Sequence, residues 1–112
     1  MTIKENPEGV HFWFSPEELL QLEEEGDIIE MHGSKKVSVV MYPNMAHKVS
    51  INMTENLIEC RINRKGDTLS RLQDRKSVEF CLLTPMEKSN IPSNIPWRRE
   101  LGTTRISLQV SA

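Results

Sequence analysis

From Gly9 onward the chain alternates apolar and polar residues in short runs, and the alternation breaks once for a helix. In GVHFWFS, Val10, Phe12 and Phe14 fall on one face and His11 and Trp13 on the other, the period-two pattern of a strand. SPEELLQLEEEG follows with a different grammar. Ser15 is placed to cap a helix N-terminus, Pro16 suits the first helical position, and Glu18 completes a capping box. Phe14 before the cap and Leu19 after it form a hydrophobic staple, and Gly26 stops the helix after about ten residues. Leu19 and Leu22 share its one apolar face, so the glutamates read as a solvated face.

Alternation then resumes. DIIEMHG sets Ile29 and Met31 on one face, with His32-Gly33-Ser34 as a turn. KKVSVVMYP carries Val37, Val39 and Met41 and ends at Pro43. HKVSINM carries Val49, Ile51 and Met53, and NLIECRINR carries Ile58, Cys60 and Ile62. In TLSRLQDR, Leu69 and Leu72 stand three apart, which fits a helical turn, while a short strand fits as well. KSVEFCLLTP and TTRISLQVSA are strands by the alternation of Val78, Phe80 and Leu82, and of Ile106, Leu108 and Val110. Short connections imply antiparallel neighbours. The expected fold is α+β and β-dominated, a mostly antiparallel sheet or small partly open barrel of six to seven short strands with one N-terminal capped helix. A length of 112 residues suits a single domain, 1–112. Within it, residues 1–8 are expected as a flexible arm and 84–103 as a long proline-containing connection.

That connection contains SNIP twice, Ser89–Pro92 and Ser93–Pro96, followed by Trp97-Arg98-Arg99. Each proline fixes its own φ and biases the preceding isoleucine toward extended backbone, so the segment is stiff. One reading tucks Ile91, Ile95 and Trp97 against the sheet. The other presents Trp97, Arg98 and Arg99 as a recognition tip, since Trp and Arg are enriched where binding energy concentrates.

Charge sharpens the picture. The net charge is only −2, yet residues 1–30 hold nine acids and one lysine, whereas residues 61–112 hold ten bases and five acids. Such opposed fields steer partners and make self-association reasonable. Within 61–76, Arg61, Arg64, Lys65, Arg71 and Arg75 are candidate contacts for phosphate or carboxylate. That stretch has no aromatic residue for stacking on bases, and a pI near 5.9 opposes general nucleic-acid affinity.

Motif chemistry adds little. There is no Walker loop, GxGxxG, GxSxG, HExxH or CxxC, so no catalytic residue, metal ligand or cofactor is assigned. His11, His32 and His47 lack ligand spacing, and Glu23–Asp27 lacks the alternation of a calcium loop. Cys60 and Cys81 lie in apolar runs and read as reduced core residues. The Asn52-Met53-Thr54 sequon lacks a secretory context, because no signal-like or membrane-spanning run is seen, and a cytoplasmic location is expected. The expected function is a small non-catalytic binding protein, an adaptor, inhibitor or accessory subunit acting through protein–protein contacts with another protein or with itself. A nucleic-acid-binding protein using residues 61–76 is the alternative. A small-molecule-binding domain or enzyme, its site assembled only by the fold, is the third.

Overall fold

A computed structural model describes residues 1–7, 9–83 and 103–111. The chain is α+β and strand-dominated, with eight strands and two helices among the described residues. They run β1 (Thr2–Asn6), β2 (Gly9–Phe14), α1 (Pro16–Glu25), β3 (Asp27–His32), β4 (Lys35–Tyr42), β5 (Val49–Met53), β6 (Leu57–Asn63), α2 (Thr68–Arg75), β7 (Ser77–Leu83) and β8 (Thr103–Val110). The strands form two four-stranded sheets, sheet A in the order β1-β2-β8-β7 and sheet B in the order β3-β4-β6-β5.

Both sheets are mixed. Their outer pairs are antiparallel, but the central pairs, β2 with β8 and β4 with β6, are parallel. The expectation of a mostly antiparallel sheet of six to seven strands is met in part: four of the six strand pairs are antiparallel, but the described strands number eight, lie in two sheets and include two parallel central pairs. Hairpins are indeed antiparallel, and the parallel contacts arise where a hairpin of one half of the chain meets a hairpin of the other. Of the segment 1–8 expected as an arm, Thr2–Asn6 instead pair along β2, with Ile3 opposite Phe12. The α-ammonium of Met1 pairs with Glu18 and lies 3.4 Å from Glu30, joining β1 to α1 and β3. Burial resists the charge on Glu18, yet that ammonium and the Ser15 N–H hold its carboxyl down at about 2.

The register shows an internal symmetry. Swapping β1-β2-α1-β3-β4 for β5-β6-α2-β7-β8 turns the order of sheet A into that of sheet B. Residue pairs follow the same exchange. Ile28 faces Val39 as Val78 faces Leu108, and Ile3 faces Phe12 as Ile51 faces Cys60. The Met41 N–H donates to Gly26 C=O as the Val110 N–H donates to Lys76 C=O. Gly26 and Lys76 are both left-handed helix C-caps, with φ of 87° and 65°. The fold is therefore a tandem ββαββ repeat in which each sheet takes one hairpin from each half. Glu23 and Gln73, equivalent positions, meet across the relation at 3.0 Å.

The core lies between the sheets. Val10, Phe12 and Phe14 from β2 and Ile106 and Leu108 from β8 are fully buried, with Val37, Val39, Ile58, Cys60 and Ile62 from sheet B. Leu19 and Leu22 of α1 and Leu72 of α2 add to the same cluster. The Ser15 cap accepts from Glu18 N–H, and the Glu18 carboxylate accepts from Ser15 N–H, so α1 starts as its sequence dictates. TLSRLQDR resolves as helix α2. Its Asp67 makes no side-chain cap, so its hold on the protein comes from buried Thr68 and Leu72. Cys60 is buried, its thiol pushed up to about 12 by desolvation, whereas Cys81 is exposed on the outside of β7, against the core placement expected for it.

Candidate interaction surface at the edge of the second sheet

The strand β3 forms one edge of sheet B. Because the Met41 N–H bonds to Gly26 C=O, Gly26 and Met41 are a hydrogen-bonded antiparallel pair. Pairs then alternate, so Ile28, Glu30 and His32 direct their backbone groups to β4, while Ile29 and Met31 direct theirs away from it. Asp27 also faces outward, and its C=O accepts from Gln21 Nε2 at 3.3 Å. Ile29 and Met31 thus have outward N–H and C=O groups with no strand beside them among the described residues.

Side chains follow the same alternation. Ile28 is buried against the core, but Ile29 and Met31 stand on the outer face, 54% and 64% exposed. The sequence pattern grouped these two correctly and left open which face they take. The left-handed Gly26 and the pairing of Ile28 with Val39 set it, and the more apolar pair faces out. The equivalent residues on β7 are Glu79 and Cys81, both exposed. Edge strands are ordinarily blunted with charge against pairing with other chains. On β3 the charge lies at Asp27, next to the exposed glutamates at the end of α1, Glu23 to Glu25, and at Glu30, which is 3.4 Å from the Met1 ammonium.

The outer face beside β3 continues inward. Ile29 lies opposite Ser38, and Met31 opposite Lys36, which neighbours Leu57 on β6. Farther in, Arg61 pairs with Glu59 and rests 5.4 Å from the Tyr42 ring centre, so its charge is already engaged.

The other basic residues of 61–76 are dispersed. The Arg64 guanidinium lies beside Gly26, where it puts positive charge at a helix C-terminus that has no basic residue of its own. Lys65 sits in the turn before α2, and Arg71 and Arg75 line a cleft against sheet A. One contiguous basic surface is not formed, because β6, its turn and α2 face different ways. Trp97, Arg98 and Arg99 lie outside the described residues.

The histidines are likewise apart. His11 stacks on Trp13 with ring centres 6.0 Å apart, His32 lies 3.4 Å from Glu30, and His47 is exposed in the connection between the halves. Among the described residues no group of three or more His, Cys, Asp or Glu could hold a metal ion. Likewise, no described helix is long and apolar enough to cross a membrane. Comparisons with protein-family models, curated proteins and solved structures gave no match.

Proposed function

We propose that this is a binding protein, an adaptor, inhibitor or accessory subunit, that engages another polypeptide by adding a strand to the β3 edge. One observation supports the reading above all. Ile29 and Met31 combine exposed apolar side chains with outward-facing backbone donors and acceptors, the two elements of strand-addition recognition. Backbone pairing supplies affinity there, and alternate side chains supply selectivity. The partner segment is extended, apolar at every second residue, and basic where it passes Asp27 and the glutamates at the end of α1. Trp97, Arg98 and Arg99 are a second, separable contact in this proposal.

Selection from a display library of random peptides tests it. Enriched peptides should alternate apolar residues and carry Lys or Arg at one end. Their affinity should fall about tenfold or more for Ile29→Lys/Met31→Lys. The Trp97→Ala/Arg98→Ala/Arg99→Ala variant, shown to be folded, should retain those peptides. Peptides that bind the β3 variant unchanged would place the contact elsewhere, and a selection that enriches none would remove the strand-addition reading.

A further inference from the structure

Sheet A carries a different feature at the position that the internal symmetry relates to β3 and α1. Between α2 and the outer face of β7 and β8 lies an open cleft of about 330 Å³, lined by Arg71, Arg75, Ser77, Glu79, Ser107 and Gln109. We propose that this cleft binds a small phosphate monoester, its phosphoryl group held by Arg71 and Arg75.

The two arginines stand one helical turn apart on the same side of α2, a like-charge spacing that disfavours an isolated helix. Neither guanidinium makes an ion pair or hydrogen bond with a described residue. The fold does not demand them. The equivalent positions in the first half are Gln21 and Glu25, and those of Ser77, Glu79 and Gln109 are Asp27, Ile29 and Val40. The same scaffold thus builds an acidic and apolar surface on one sheet and a basic, hydroxyl-bearing one on the other.

The floor of the cleft is organised. Trp13 Nε1 donates to Gln109 Oε1 at 3.0 Å, and Gln109 Nε2 donates to Ser107 Oγ at 2.9 Å. Ser107 is 3% exposed, and its hydroxyl accepts this bond while keeping its own proton to donate. Ser38 is its buried equivalent, so the serine belongs to the scaffold, and the arginines are what the second half adds. Guanidinium forks match phosphate oxygens, with the hydroxyls of Ser77 and Ser107 as further donors.

Glu79 decides the ligand class. Its carboxylate lowers the charge of the lining to +1, which disfavours a polyanion running through the cleft. It also provides an acceptor for a hydroxyl next to the phosphoryl group. A compact ester with a free hydroxyl satisfies both sides.

The test is an amide-resolved titration with glycerol phosphate, inorganic phosphate and sulfate at constant ionic strength. The Ser77, Glu79, Ser107 and Gln109 amides should shift saturably, with glycerol phosphate the tightest of the three. Arg71→Gln/Arg75→Gln, with spectral dispersion confirming its fold, should weaken that binding about tenfold or more. Arg64→Gln/Lys65→Gln should leave it unchanged, and Glu79→Gln should erase the preference for the ester over inorganic phosphate. Linear shifts that are alike for all three anions would overturn the proposal, as would saturable shifts that survive the double arginine variant. An oligonucleotide that outcompetes glycerol phosphate, with steep salt dependence, would replace it with a nucleic-acid contact.

Discussion

Removing Leu72 tests whether α2 is integral to the protein or decorates it. Leu72 is 1% exposed and Leu22, its equivalent on α1, is 0% exposed. Each packs into the one cluster between the sheets. Truncating a buried leucine to alanine costs about 2–5 kcal/mol, from lost transfer energy plus the cavity left behind. A helix at the margin of a core can settle partly into the space, so about 3 kcal/mol is expected for Leu72→Ala and a similar loss for Leu22→Ala. With an unfolding entropy of about 2.1 cal/mol/K per residue, the 112-residue chain should lose about 13 °C in Tm. Urea denaturation in a Trp97→Phe background, followed by both circular dichroism and Trp13 fluorescence, measures the loss. Each sheet takes a hairpin from each half, so the two signals should move together in either variant, in a single transition. A loss below about 1 kcal/mol for Leu72→Ala would refute the packing of α2. Separate transitions, with Trp13 unaffected by the Leu72 change, would refute the exchange of hairpins between halves.

Three further outcomes follow from the same geometry. Gly9 has φ of 156°, and a Cβ there would lie 1.9 Å from the Arg105 backbone oxygen across the central parallel pair. Gly9→Ala should therefore destabilise by about 2 kcal/mol or more in the same urea assay. The Thr68 side-chain oxygen is buried without a partner, so the isosteric Thr68→Val should raise stability by about 1 kcal/mol instead of lowering it. Native protein should take up one equivalent of thiol reagent at exposed Cys81 and react at Cys60 only on unfolding. Cys81→Ser should abolish the native-state reaction.

What could be read from the sequence was local. The Ser15 cap, Pro16, Glu18 and Gly26 specify α1 from its own residues, and the structure repeats those bounds. Strands such as Val78–Phe80 and Ile106–Leu108 were legible because a half-buried strand must alternate. Strand direction was not, since alternation is the same in parallel and antiparallel pairs, and β2 meets β8 from nearly the other end of the chain. β1 was missed because TIKEN has a single apolar residue, Ile3, enough for an edge strand but too little to show a period. The repeat was hidden for a related reason. Leu19 and Leu69, Leu22 and Leu72, and Ile28 and Val78 are alike, but the residues between them answer to different surfaces.

The candidate contacts show the same division. The basic residues are neighbours in sequence but separate in space, with Arg61 on Glu59, Arg64 at the end of α1, and Arg71 and Arg75 at the cleft. The β3 edge carried only a faint signal, an alternation that put Ile29 and Met31 together. That this pair turns its backbone groups outward follows from the hydrogen bond from Met41 to Gly26, at the end of the β3–β4 hairpin away from its turn.

The strand-addition proposal is tested most directly by amide hydrogen exchange of the protein bound to a selected peptide. Protection should rise at the Ile29 and Met31 amides, whose N–H groups face away from β4, and stay unchanged at Ile28 and Glu30, which already bond to it. Protection that rises along all of β3 alike, or that leaves Ile29 and Met31 as they are, would contradict the addition of a strand at this edge.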